Sequence, residues 1–195
     1  MPKKSFKSQA LASFSKLDEK AQLYFDVLPE LINNVTRPEP ALAYSFQKIE
    51  MAQRNALYVL LMREYRTNGD LAQHAVNKID ITRSNFPQLY KSISGKNLNK
   101  ELREIIKPAE AIRDRITHGR KCQSSDVFKA IKLCLDYAYS MNEEFSKSVG
   151  FKPFGPQTGA TGMKGKPQHD KKVTKAILQG LGFLKAAEIT VVPQE

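Results

Sequence analysis

Apolar residues recur every three or four positions along four long segments before residue 150, a period that is typical of helices burying one face. The apolar positions of these segments fall within residues 14–35, 42–60, 98–116 and 127–145. Between the second and third segments, shorter helical pieces are predicted. Because short connections place successive helices side by side, the pattern predicts an all-α protein built as an antiparallel helical bundle.

Prolines and glycines set the predicted ends of the first two segments. Pro29 is expected to kink the first segment or to begin a second helix. The next helix is expected to begin after Pro38-Glu39-Pro40 and to stop at Asn68-Gly69. The short pieces that follow are broken by Pro87 and Gly95.

The last two segments before residue 150 have equally defined limits. Pro108 is expected to interrupt the third, which ends at Gly119. Ser124 or Ser125 is the expected N-cap of the fourth, with Asp126 in its first turn. These limits complete a bundle domain over residues 1–149.

The composition changes at residue 150. Residues 150–170 contain five glycines and three prolines, which predicts a mobile linker without helix or strand. Residues 171–195 form a short C-terminal segment, with helical spacing up to residue 187 and a short strand expected at 189–192. The chain is therefore expected to carry a flexible C-terminal extension.

The net charge of the chain indicates which class of molecule it binds. The 195-residue chain has 31 lysines and arginines against 20 acidic residues, a formal net charge of +11, which favours a polyanion such as RNA. No apolar run is long enough to cross a membrane, and residues 1–5 lack the apolar stretch of a secretory signal. We therefore expect a cytoplasmic protein without a membrane partner.

The cysteines and acidic residues suggest no metal or cofactor. Cys122 and Cys134 are the two cysteines, and they form no Cys-x-x-Cys pair, so neither a disulfide framework nor a thiolate zinc site is expected. They are interpreted as reduced packing residues. No metal-ligand spacing, Ser-His-Asp set or phosphate-binding glycine loop is recognisable, and no cofactor is predicted.

His118 has the most informative surroundings of the three histidines. It lies at the predicted end of the third segment, and Asp114, one helical turn earlier, can reach its imidazole. This pairing makes His118 a candidate general acid and base. Arg115, Arg120 and Lys121 surround it with positive charges that suit the oxygens of a phosphodiester.

Arg113 is the remaining basic residue of this segment. It precedes His118 by five positions, which places the two side chains about 140° apart on one helix. They cannot converge on one small group from a single copy, so we expect a homodimer in which two copies of the segment face each other. An ion pair between Arg113 and Glu110 is the alternative to a phosphate-binding role.

The run Arg113-Asp114-Arg115-Ile116-Thr117-His118 resembles the R-x4–6-H motif of the HEPN superfamily, the higher eukaryotes and prokaryotes nucleotide-binding domains. In that motif the residue after the arginine is usually Asn, Asp or His, as Asp114 is, and a following glycine such as Gly119 is frequent. The resemblance covers about residues 40–148 and implies a bundle of four to five helices.

The resemblance also implies an activity. Many members are metal-independent endoribonucleases that act as dimers, in which a ribose 2′-hydroxyl attacks the adjacent phosphate and leaves a cyclic phosphate. By this likeness Arg113 and His118 are the catalytic pair and Asp114 is the supporting polar residue. The charges of Arg115, Arg120 and Lys121 make them the candidate residues that bind RNA phosphates. Many members are toxins or antiviral effectors, so an antitoxin protein is a further candidate partner.

Two other functions remain open at this point. A non-catalytic helical module can use the same basic face to bind RNA or DNA, or its helix faces to bind a protein. A helical assembly or subunit protein whose C-terminal segment docks elsewhere is the third hypothesis.

Overall fold

The computed structural model describes residues 5–33, 37–82, 85–156 and 167–184, and within them every regular element is an α-helix. The all-α helical bundle predicted from the sequence is confirmed, while the strand expected at 189–192 lies outside the described residues. The helices are α1 Phe6–Ser15, α2 Glu19–Tyr24, α3 Leu28–Asn33, α4 Glu39–Tyr65, α5 Gly69–Lys78, α6 Phe86–Ser94, α7 Lys100–Thr117, α8 Ser124–Val149 and α9 Lys171–Gly180.

The chain forms two compact units. Unit 1 consists of Met1–Ala52 and Leu98–Gln157, and unit 2 consists of Gln53–Asn97 and Thr158–Glu195. The units interleave along the sequence and the division falls within α4, whereas the boundaries predicted from composition are sequential. All the candidate site residues belong to unit 1.

Unit 1 is organised around α8. Its neighbours are α7 and α1, and α1 also packs on α3. The six residues 118–123 connect α7 to α8, so the two helices are antiparallel neighbours. α7 contributes the buried side chains Leu102, Ile106 and Ala109, spaced by one helical turn. The buried side of α8 is larger and runs along the whole helix.

The first predicted segment is three short helices rather than one kinked helix. The carboxylate of Asp18 accepts a hydrogen bond from the Ala21 N–H at 2.9 Å, which starts α2 after α1 has ended at Ser15. Pro29 lies in the first turn of α3, so it begins a helix, one of the two outcomes that its position predicted.

The interruption predicted at Pro108 is wrong, because α7 continues through this residue. Pro108 and Glu104, whose carbonyl loses its usual partner, are both exposed, so water can satisfy the carbonyl. The N-cap of α8 is also corrected from Ser124 or Ser125 to Gln123. Asp126 does lie in the first turn of that helix, as predicted.

The first residues of the predicted linker are packed into unit 1. Phe154 is fully buried, and its ring stacks on Phe25 with 5.6 Å between centroids. The side-chain amide of Asn142 accepts from the Phe154 N–H at 2.9 Å and donates to the Phe154 carbonyl at 3.1 Å. Residues 150–156 contain neither helix nor strand, yet they are anchored rather than loose.

The helical part of the C-terminal segment belongs to unit 2, where α9 packs on α5. Thr174 is buried, and its hydroxyl accepts from the Asn68 N–H at 2.9 Å. One turn further, Leu178 is also buried. The His169 N–H donates to the Arg66 carbonyl at 2.8 Å. The chain from 169 to 178 thus docks on the connection between α4 and α5.

Replacing Phe154 tests the anchored segment. We expect Phe154→Ala to lower the free energy of unfolding by about 3–5 kcal/mol, because the substitution leaves a cavity against Phe25. Urea unfolding followed by circular dichroism measures the loss. The control is Leu23→Ala, at a side chain 69% exposed, where a change within about 0.5 kcal/mol is expected. Equal losses in the two variants would contradict the packing.

Candidate functional site

The C-terminus of α7 is built to turn the chain sharply. His118 is its C-cap, and Gly119 follows with a φ of +70°, a conformation that glycine adopts without strain. The Gly119 N–H donates to the Ile116 carbonyl at 2.9 Å, and the Arg120 N–H donates to the Arg115 carbonyl at 2.8 Å. This pair of bonds is the Schellman motif, and it fixes the backbone from which the basic side chains project.

Four basic groups at this corner face solvent. Arg115, His118, Arg120 and Lys121 are all exposed. The guanidinium of Arg115 donates to the Lys121 carbonyl at 3.3 Å, which links the last turn of α7 to the connection that follows. No acidic residue occurs in the sequence from 115 to 125, so this corner carries a concentrated positive charge.

Arg113 has different surroundings. Its Nη2 atom lies 2.9 Å from Oε1 of Glu50, on α4. Its guanidinium carbon lies 4.8 Å from the ring centroid of Phe46, a buried residue one turn before Glu50. The Arg113 and Glu50 side chains are each about one third exposed, at 38% and 33%. Arg113 therefore binds within unit 1 through an ion pair and a cation–π contact.

The structure does not bring Arg113 and His118 together within one chain. Arg113 lies on the side of α7 that carries the buried Leu102 and Ile106, whereas His118 is exposed at the helix end. The 140° separation expected from the sequence accounts for this difference. Asp114 is partly buried, and its carbonyl accepts from the His118 N–H at 3.0 Å. A composite site formed by two copies stays a prediction.

Sequence reasoning missed Glu50 and Phe46. Glu50 precedes Arg113 by 63 positions, so no local pattern connects them. One sequence pattern could have indicated this contact. Phe46 and Glu50 are spaced i, i+4 in α4, which puts a ring and a carboxylate on one face of the helix. That pattern identifies a surface able to receive a guanidinium, but it does not say which one.

The two cysteines have different surroundings. Burial raises the pKa of the Cys134 thiol, Glu110 raises it further, and Arg113 opposes them. Cys134 is therefore a neutral packing residue between α7 and α8. Cys122 is partly buried, with its sulfur 3.9 Å from the Arg120 carbonyl oxygen.

Among the described residues, no group of three or more His, Cys, Asp or Glu side chains is placed to hold a metal ion. In the same part of the chain, no helix is both long and apolar enough to cross a bilayer.

No protein-family model, curated protein or solved structure matches this chain. The function is therefore inferred from the charges and geometry of the α7 end and from the motif at residues 113–118.

A double-mutant cycle on Arg113 and Glu50 tests the ion pair. We expect Arg113→Gln, Glu50→Gln and the double variant to give a coupling of about 0.5–1 kcal/mol in the free energy of unfolding, because the pair is only partly exposed. The control pair is Lys147 and Glu143, 3.7 Å apart with the lysine 79% exposed, where coupling near zero is expected. Absence of coupling between Arg113 and Glu50 would show that Arg113 is not held on α4.

Proposed function

We propose that this protein binds RNA at the C-terminal end of α7 and cleaves it without a metal ion. The observation that carries the proposal is an exposed imidazole, His118, among three exposed cationic side chains, Arg115, Arg120 and Lys121. Phosphate oxygens are the ligands that guanidinium and ammonium groups prefer, and an imidazole exchanges protons near neutral pH. The net charge of +11 supports a polyanionic partner.

The reaction is an internal transfer of the phosphoryl group. His118 removes the proton of a ribose 2′-hydroxyl, whose oxygen attacks the neighbouring phosphorus. The bond from phosphorus to the 5′-oxygen breaks, and a proton from a second imidazole completes the 5′-hydroxyl. The products are a 2′,3′-cyclic phosphate and a 5′-hydroxyl. Arg115, Arg120 and Lys121 stabilise the additional negative charge of the pentacoordinate transition state.

A homodimer supplies the second imidazole. One chain offers one His118 at this corner, and two facing α7 ends give an acid and a base on opposite sides of the scissile bond. Arg113 joins this cleft by exchanging its partner Glu50 for a phosphate oxygen, and Asp114 orients the His118 imidazole. A toxin or antiviral role, with an antitoxin protein as partner, is the biological setting that the HEPN resemblance implies.

A non-catalytic RNA-binding module is the second candidate. It is favoured by the ion pair between Arg113 and Glu50, which occupies one of the two residues that the nuclease requires. In this alternative Arg115, Arg120 and Lys121 bind the phosphates, and His118 contributes no proton transfer.

Cleavage of RNA in the presence of EDTA distinguishes the two candidates. We expect the purified protein to cut a mixed-sequence RNA and to leave DNA of the same sequence intact, because DNA lacks the 2′-hydroxyl. His118→Ala is expected to slow cleavage by about 10²-fold or more, since it removes the acid and base. The control is His74→Ala, at an exposed histidine of α5 in unit 2, with no change expected.

Two results would reject the nuclease. One is the absence of cleavage with intact RNA binding, which supports the non-catalytic module. The other is equal cleavage by the protein and by His118→Ala, which indicates another active site or a contaminating enzyme.

A further inference from the structure

The exposed face of α7 carries a row of basic side chains that leads to His118. Lys100, Arg103, Lys107 and Arg115 are all exposed and follow one another at intervals of three, four and eight residues. At 100° per residue these four positions and His118 fall within a sector of about 120°. We call Lys100, Arg103, Lys107 and Arg115 the basic ridge.

The packing of α7 keeps the basic ridge in solvent. Leu102, Ile106 and Ala109 are buried on the opposite side of the helix, which unit 1 uses for packing. Both faces belong to one continuous helix, so the row of side chains from Lys100 to His118 extends over about 27 Å at 1.5 Å per residue.

The cations of the basic ridge differ from those of α8 in whether they form ion pairs. On α8, Lys129 binds Asp126 at 3.1 Å and Lys132 binds Asp136. Among the described residues, Lys100, Arg103 and Lys107 have no ion-pair partner. Glu104 and the partly buried Asp114 lie in the same sector, so the basic charges outnumber the acidic ones along it. Unpaired cations in a row favour an anionic ligand that is itself linear.

We propose that the basic ridge holds the sugar-phosphate backbone of a single RNA strand and guides it to His118. This inference rests on the proposed function for the nature of the polyanion, and it adds the class of substrate: single-stranded RNA of several nucleotides, bound without regard to sequence. A stacked strand places a phosphate about every 3.4 Å, so the length from Lys100 to His118 matches at most about eight nucleotides.

The width of the ridge supports binding of a single strand, and its composition supports binding without regard to sequence. A duplex presents two rows of phosphates on either side of a groove, whereas one helix face presents a single row of cations. α7 has no aromatic side chain on which a base could stack. Contacts with phosphates alone position a strand but carry no sequence information.

Binding of labelled RNA to the full chain carrying His118→Ala tests the ridge without cleavage. The ridge variant adds Lys100→Gln, Arg103→Gln and Lys107→Gln, and the probes are single-stranded RNAs of 4 and 12 nucleotides. We expect the ridge variant to bind the 12-mer about tenfold more weakly or worse, and its salt slope to fall by about 2, since each lost phosphate contact removes about 0.7. The 4-mer, held at the His118 end, is expected to bind unchanged.

A matched control removes the same charge elsewhere in unit 1. Lys16→Gln, Lys20→Gln and Lys147→Gln replace three exposed lysines outside α7, and 12-mer binding is expected to stay within about twofold. In the opposite direction, Glu104→Gln removes a negative charge from the ridge sector and is expected to tighten 12-mer binding. Because Glu104 is exposed, its replacement is expected to leave the fold intact. It therefore tests the ridge even if the triple variant folds poorly.

Several outcomes would overturn the ridge. They are equal weakening in the ridge and control variants, unchanged 12-mer binding, or tighter ridge-dependent binding of duplex RNA, DNA or polyglutamate than of the single strand. Failure of the proposed nuclease gives a different pattern: no cleavage by the protein with intact His118, while the 12-mer still depends on the ridge. In a second chain that keeps His118, cleavage of the 12-mer with unchanged KM after Lys100→Gln, Arg103→Gln and Lys107→Gln would reject the ridge alone.

Discussion

The burial of one side of α7 determines what the other side can do. Leu102, Ile106 and Ala109 are withdrawn from water, while α7 packs against α8, so this helix cannot rotate without exposing them. The opposite side is therefore fixed in solvent along the whole helix. Arg113 falls on the packed side and His118 at the exposed end, and their different surroundings follow from this single constraint.

The same constraint separates a cation that is paired within unit 1 from the cations that face solvent. Arg113 is bound to Glu50 over the ring of Phe46, where it connects α7 to the first half of α4. Arg115, Arg120 and Lys121 project from a turn that Gly119 makes possible, and no acidic residue follows them until α8 has begun. An excess of positive charge in one place favours a polyanion, whereas the same charge dispersed over the surface would serve solubility alone.

The sequence predicted most of the long helices but few of the contacts between residues that are distant in sequence. The period of apolar residues identified α4, α7 and α8, because long amphipathic helices carry a strong local signal. The Asp18 cap lies within an apolar stripe that masks the end of α1. Pro108 lies inside α7 at an exposed position, where the Glu104 carbonyl is open to water. The burial of Phe154 and the pairing of Glu50 with Arg113 depend on residues distant in sequence, so no local pattern predicts them.

The sequence did predict the position of His118 at a helix end before Gly119. The exposed residues Lys100, Arg103 and Lys107 make this side of α7 accessible to a ligand. Lysine footprinting tests that use of α7 most directly: the chain is acetylated with and without a 12-nucleotide RNA, and each lysine is quantified by mass spectrometry. Protection of Lys100, Lys107 and Lys121, with Lys16 and Lys147 equally modified in both samples, is the predicted result. Protection confined to lysines outside α7 and the connection that follows it would contradict an RNA-binding role for this helix.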